Sequence, residues 1–135
     1  ALNAPISMHR LGAPFLADAE LNLSARCGRH VTIGASVDWL DDGDEVRLAA
    51  NPAFSIRVLY TPGHTPDSAT YYLPSESCAF VGDSIIGGGI GLTKFPGGDQ
   101  PTLIRSLETR ILTLPADTTL LSGHSAPLTL REFLT

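Results

Sequence analysis

Short hydrophobic runs bounded by glycine and proline dominate the pattern of this chain and predict buried strands. The clearest runs lie at residues 58–60, 69–73, 78–81 and 117–122. Three of the runs break at or near a glycine, and the residue that follows this glycine is His64, Asp83 or His124. The pattern therefore predicts that these three side chains lie at strand ends.

Two further parts of the chain carry strand signals. Strands are expected at residues 4–8 and 54–60. The DDGD sequence at 41–44 lies between two short alternating runs, and a turn of this composition predicts a hairpin. The four acidic and turn residues also lack the further oxygen ligands that a calcium loop requires, so a solvated turn is expected there.

Helical patterns are fewer. The strongest lies at residues 101–113, a short helix is expected to begin near Pro14, and another is expected at 128–134. Residues 84–100 show no regular pattern and are predicted to form a functional or mobile loop. Strands, one good helix, a strand and a terminal helix together predict an α/β fold in which a mixed sheet is covered by helices on one face.

Composition narrows the class of protein. A length of 135 residues predicts one domain, and 43% hydrophobic against 17% charged residues is typical of a globular chain. The formal net charge of −5, without a basic cluster, argues against nucleic acid as a partner. No apolar run is long enough to span a membrane. Cys27 and Cys78 form no CxxC motif and are expected to be reduced thiols of a cytoplasmic protein.

The residues at the three strand ends suit a metal site. Histidine nitrogen and aspartate oxygen favour zinc, manganese or iron over calcium, and an aspartate can bridge two ions. Taken singly, a turn histidine such as His64 or His124 is more often a hydrogen-bonding residue than a metal ligand, and a Gly-Asp step after a strand, as at Asp83, is often a helix N-cap. Their coincidence favours a shared polar site. His9 and His30 lack this setting and are expected at the surface.

Other chemistries match less well. A serine esterase with the Gly-Asp-Ser turn at 82–84 requires an aspartate three residues before its histidine, where this chain has Leu121. No G-x-S-x-G elbow occurs. The glycines at 87–91 do not fit G-x-G-x-x-G, so they are interpreted as a mobile loop and not as a nucleotide site.

Four motifs together resemble the metallo-β-lactamase fold superfamily, and within it the glyoxalase II-like hydrolases. Residues 61–68, TPGHTPDS, resemble the family pattern TPGHTPGS, with Asp67 as the one departure. The others are FVGDS at 80–84, GLTKFPGGD at 91–99 and LSGHS at 121–125, which resemble F-x-GD-x, G-R-T-D-x-P-G-G-D and PGHG. Leu92 and Lys94 replace the family's Arg and Asp, which places glutathione-type contacts in question.

The resemblance implies a two-metal site. His64 would bind one zinc ion, His124 the other, and Asp83 would bridge them; iron or manganese are alternatives. A hydroxide held between the ions would attack a thioester such as a hydroxyacylglutathione. The family's H-x-H-x-D-H motif supplies four further ligands and is not found in these 135 residues.

The absence of that motif leads us to expect that the chain is the C-terminal half of the αββα sandwich, one partial domain over residues 1–135. Such a half would expose its inner sheet face, so we expect a homodimer or pairing with an N-terminal half. The intact protein would be a metallo-hydrolase, and this chain inactive alone. The alternatives are a non-enzymatic, self-associating half-domain with vestigial ligands, or part of an iron-dependent persulfide dioxygenase.

Overall fold

A computed structural model describes residues 4–135, and these residues divide into two compact units, 4–40 and 41–135, which are described separately. In the first unit, strand β1 (Ile6–His9) pairs in parallel with β2 (Val37–Leu40). A 3₁₀ turn after β1 leads into helix α1 (Ala13–Ala17), with Pro14 in its first turn. The predicted strand and the short helix near Pro14 are both confirmed.

Two sequence predictions that involve the first unit are wrong. His9 is buried, with 5% of its surface exposed, and its Nδ1 accepts a hydrogen bond from the Leu11 backbone N–H at the start of the 3₁₀ turn. The hairpin predicted around residues 41–44 does not form, since β2 pairs with β1. His30 is exposed, as predicted.

A six-stranded sheet organises the second unit and consists of β3 (Glu45–Leu48), β4 (Asn51–Tyr60), β5 (Ala69–Leu73), β6 (Cys78–Gly82), β9 (Thr119–Ser122) and β10 (Leu128–Thr129). All neighbours are antiparallel except β6 and β9, which run parallel. The spatial order of the strands in the sheet is β10-β9-β6-β5-β4-β3. The strands predicted at 54–60, 69–73, 78–81 and 117–122 are thus confirmed, as is the mixed sheet.

Helices cover one face of this sheet. Helix α2 (Gln100–Ser106) continues as a π-helical segment, Leu107–Ile111. Helix α3 (Leu130–Phe133) begins with a capping box formed by Thr129 and Glu132. The core formed between helices and strands includes Tyr72, Ala79, Val81, Ile85, Leu103, Leu107, Ile111, Leu120 and Leu130. No helix of the described residues is long and apolar enough to cross a membrane.

The opposite sheet face is less well covered. Side chains alternate between the faces of a strand. In β6, Ala79 and Val81 are therefore buried against the helices, whereas Phe80 points the other way and keeps 48% of its surface exposed. Tyr71 and Leu121, its partners in the neighbouring strands, are half-buried.

The segment predicted to be irregular contains a small hairpin. Strands β7 (Ile85–Ile86) and β8 (Gly89–Ile90) pair antiparallel around Gly87 and Gly88, both of which have positive φ. Ile85 is fully buried and anchors this hairpin to the core. The remaining part, residues 91–99, has no regular structure but makes specific contacts that are described below.

Candidate metal centre

His64 lies in the turn between β4 and β5, where the chain passes directly over helix α2. Gly63 has a φ of +136°, and a Cβ there would lie 2.3 Å from the Leu103 backbone, so only glycine permits this approach. The turn is closed by the Tyr60 hydroxyl, which donates to the Pro66 carbonyl at 2.7 Å. Burial raises the pKa of this tyrosine, and the nearby Asp67 charge contributes. His64 is thereby presented by a well-supported turn.

Asp83 and His124 reach the same edge of the sheet because β6 and β9 are parallel neighbours. Gly82 is paired with Ser122, so the residues that follow the two strands emerge side by side. The Ser122 hydroxyl accepts hydrogen bonds from the backbone N–H groups of His124 and Ser125, at 3.3 and 3.0 Å, and shapes the turn after β9.

One carboxylate oxygen joins the three predicted site residues. Asp83 Oδ2 lies 3.5 Å from His64 Nε2 and 3.3 Å from His124 Nε2. The side chains differ in exposure, at 16% for His64, 26% for Asp83 and 68% for His124. The structure thus brings together all three residues singled out by the sequence pattern.

Two imidazole nitrogens and a carboxylate form a donor set that suits zinc, iron or manganese. Among residues 4–135, no three His, Cys, Asp or Glu side chains form a group that could hold one ion by themselves. The arrangement instead offers two histidines on either side of a shared carboxylate. These donors fit a partial site in which Asp83 faces two positions, each needing further ligands.

Two contacts to His64 were not foreseen as parts of the site. Its Nδ1 lies 2.5 Å from the carbonyl oxygen of Leu92. The Phe95 ring packs edge-on, with ring centroids 5.8 Å apart and an interplanar angle of 73°. A contact made by a backbone carbonyl leaves no signature in the sequence. The GLTKFPGGD motif at residues 91–99 was therefore the only sequence signal for the segment that contacts His64.

Comparison with known proteins identifies relatives of this chain. A family model described as "Metallo-beta-lactamase superfamily" matches residues 1–124. The probable metallo-hydrolase YqgX of Bacillus subtilis is 39% identical over 89% of the chain and 56% of its own length. The hydroxyacylglutathione hydrolase GloC of Haemophilus influenzae is 40% identical over 70% of the chain and 43% of its length. Human persulfide dioxygenase ETHE1 is 37% identical over 67% of the chain and 35% of its length.

Solved structures give the same result for the fold. The BLEG-1 B3 metallo-beta-lactamase superposes with a TM-score of 0.86 at 33% identity, over 95% of this chain and 61% of that one. TTHA1623 in a di-iron-bound form gives a TM-score of 0.80 at 30% identity, over 97% and 62%. The chain therefore spans between about a third and three fifths of the length of the proteins it resembles.

Proposed function

Because this chain belongs to the metallo-beta-lactamase superfamily, we propose that it is part of a metal-dependent hydrolase of the glyoxalase II-like type that acts on a small thioester. The observation that carries this proposal is the position of Asp83 Oδ2 between the Nε2 atoms of His64 and His124. The 40% identity with a hydroxyacylglutathione hydrolase supports the substrate class.

In the proposed site His64 would hold one zinc ion and His124 the other, and Asp83 would be a ligand shared by both. When bound, such a metal pair lowers the pKa of a water molecule to about 7 and polarises the carbonyl to be cleaved. Asp83 supplies negative charge beside both ions, and the turn around Gly63 keeps His64 in place. The remaining ligands are expected from an H-x-H-x-D-H motif, which these 135 residues lack, so the chain alone is expected to be inactive.

The test uses the protein that carries this chain, with a hydroxyacylglutathione as substrate. We expect hydrolysis that is abolished by a chelator and restored by Zn²⁺, and a loss of at least about 10²-fold in kcat/KM for His64→Ala, since a metal ligand is removed. Glu76→Gln is the matched control, because Glu76 precedes β6 at the end opposite Asp83. Hydrolysis that survives both chelation and His64→Ala would contradict the proposal.

A second candidate is an iron-dependent persulfide dioxygenase. It is favoured by the 37% identity with ETHE1 and by the similarity to a di-iron-bound structure. The donor set does not choose between zinc and iron. The same protein loaded with Fe²⁺ distinguishes the two functions: oxygen consumption with glutathione persulfide and no thioester hydrolysis would support the dioxygenase and exclude the hydrolase.

A further inference from the structure

The loop at residues 91–99, called here the 91–99 loop, is attached to the turns that carry both Asp83 and His64. At its start Gly91 packs so closely that a Cβ would lie 1.7 Å from the Asp83 carbonyl oxygen. At its end the Asp99 backbone N–H donates to the Gly63 carbonyl at 2.8 Å. The loop therefore fixes the position of one turn relative to the other.

The middle of the 91–99 loop contacts the His64 ring itself. The Leu92 carbonyl can only accept a hydrogen bond, so the 2.5 Å contact requires a proton on His64 Nδ1. Phe95 packs edge-on to the same ring and limits its rotation, and the Lys94 ammonium lies 5.9 Å from the centre of the Phe95 ring. With only 16% of its side chain exposed, His64 has little freedom to choose another orientation.

A neutral imidazole that is protonated at Nδ1 has its lone pair on Nε2. In this structure Nε2 faces Asp83 Oδ2 at 3.5 Å. Two electron-pair donors directed at one point form a site that favours a cation, and the hydrogen bond of the distal ring nitrogen decides which tautomer is present.

We propose that the 91–99 loop holds the His64 ring in the Nδ1-protonated tautomer, with the Leu92 carbonyl as acceptor and Phe95 as the positioning residue. The inference rests on the proposed metal site, because it explains how Nε2 is prepared for a metal. It also applies to the metal-free chain, in which the tautomer of His64 can be measured without any metal.

Nitrogen NMR of the metal-free full chain, labelled with ¹⁵N-histidine, tests the tautomer at pH 8, well above the ordinary histidine pKa of about 6.5. His64 is expected to show a protonated Nδ1 and an unprotonated Nε2, whereas a free imidazole side chain favours the reverse. Phe95→Leu is expected to shift His64 towards the Nε2-protonated form, and Phe95→Tyr to restore the wild-type spectrum because it keeps the ring. Leu48→Ala is the matched control: Leu48 lies in β3, outside the 91–99 loop, and 52% of its surface is exposed.

Calorimetric titration with Zn²⁺ gives a second readout. Loss of an outer-shell contact typically lowers metal affinity about 10–100-fold, and a loss of this size is expected for Phe95→Leu. The control Leu48→Ala is expected to change the affinity by no more than about twofold. Wild-type His64 protonated at Nε2, or a folded Phe95→Leu variant with unchanged tautomer, would overturn the inference. An Nδ1-protonated His64 in a chain that binds no Zn²⁺ would support the inference and would show that His64, Asp83 and His124 do not hold Zn²⁺ without the further ligands.

Discussion

At the scale of single residues, a short sequence pattern located the candidate site. A glycine followed by a metal-ligating residue at the end of a hydrophobic run identified His64, Asp83 and His124, which the structure brings around one carboxylate oxygen. The pattern works because a strand end fixes the backbone and a glycine permits a sharp turn. It could not reveal Phe95 or the Leu92 carbonyl, whose contacts with His64 depend on the path of an irregular loop.

The Gly63→Ala substitution tests the close approach that presents His64. A methyl group would lie 2.3 Å from the Leu103 backbone in a region of positive φ, so the turn must shift. We expect the free energy of unfolding to fall by about 2–4 kcal/mol, at the upper end of single substitutions. Urea unfolding measures the change. Gly34→Ala is the control, because nothing lies within 4 Å of its Cβ and its φ is not positive. Equal stabilities of the two variants would contradict the role assigned to Gly63.

At the scale of elements, the positions of strands along the sequence were easier to predict than which strands pair with each other. The runs at 69–73 and 78–81 correspond closely to β5 and β6 because burial leaves a direct hydrophobic signal. The DDGD turn at 41–44 did not specify its partner strands: the Asp44 carboxylate accepts from the Asp41 backbone at 2.7 Å, and β3 pairs onward with β4. A turn signal describes local geometry, whereas strand pairing depends on residues distant in sequence.

Two adjacent residues of helix α2 allow its packing against the sheet to be tested with a matched pair of substitutions. Leu103 is fully buried, whereas the adjacent Ile104 is 40% exposed. Removal of a buried leucine side chain typically costs about 2–5 kcal/mol, which is the loss expected for Leu103→Ala. Ile104→Ala is expected to cost less than about 1 kcal/mol. Equilibrium urea unfolding gives both values, and a larger loss for Ile104→Ala would reverse the assigned orientation of α2.

At the scale of the whole molecule, the family was predictable from four ordered motifs, and the family model together with the similar structures confirms it. The chain covers 56% of YqgX and 43% of GloC. Its sequence therefore carries the fold signal of a superfamily, whereas substrate and native metal depend on side chains beyond the three candidate ligands. For this reason the thioester and the zinc pair remain proposals.

Self-association also remains a prediction, and the sheet provides a place to test it. Phe80 lies on the face opposite the helices and is 48% exposed, and a two-fold dimer could cover it because such an interface is self-complementary. We expect twice the chain mass by analytical ultracentrifugation, and a shift to the monomer mass for Phe80→Glu. A wild-type chain that is monomeric with a cooperative melt would contradict the dimer.

The central claim is that Asp83 lies between two metal-binding histidines, and a titration of the metal-free full chain with Zn²⁺ tests it most directly. The account predicts Zn²⁺ binding that perturbs the NMR signals of both His64 and His124. Asp83→Asn is expected to bind at least about tenfold more weakly, because the bridging negative charge is lost. Glu76→Gln, at the opposite end of β6, should bind like the wild type. An Asp83→Asn variant with wild-type Zn²⁺ affinity would contradict the account.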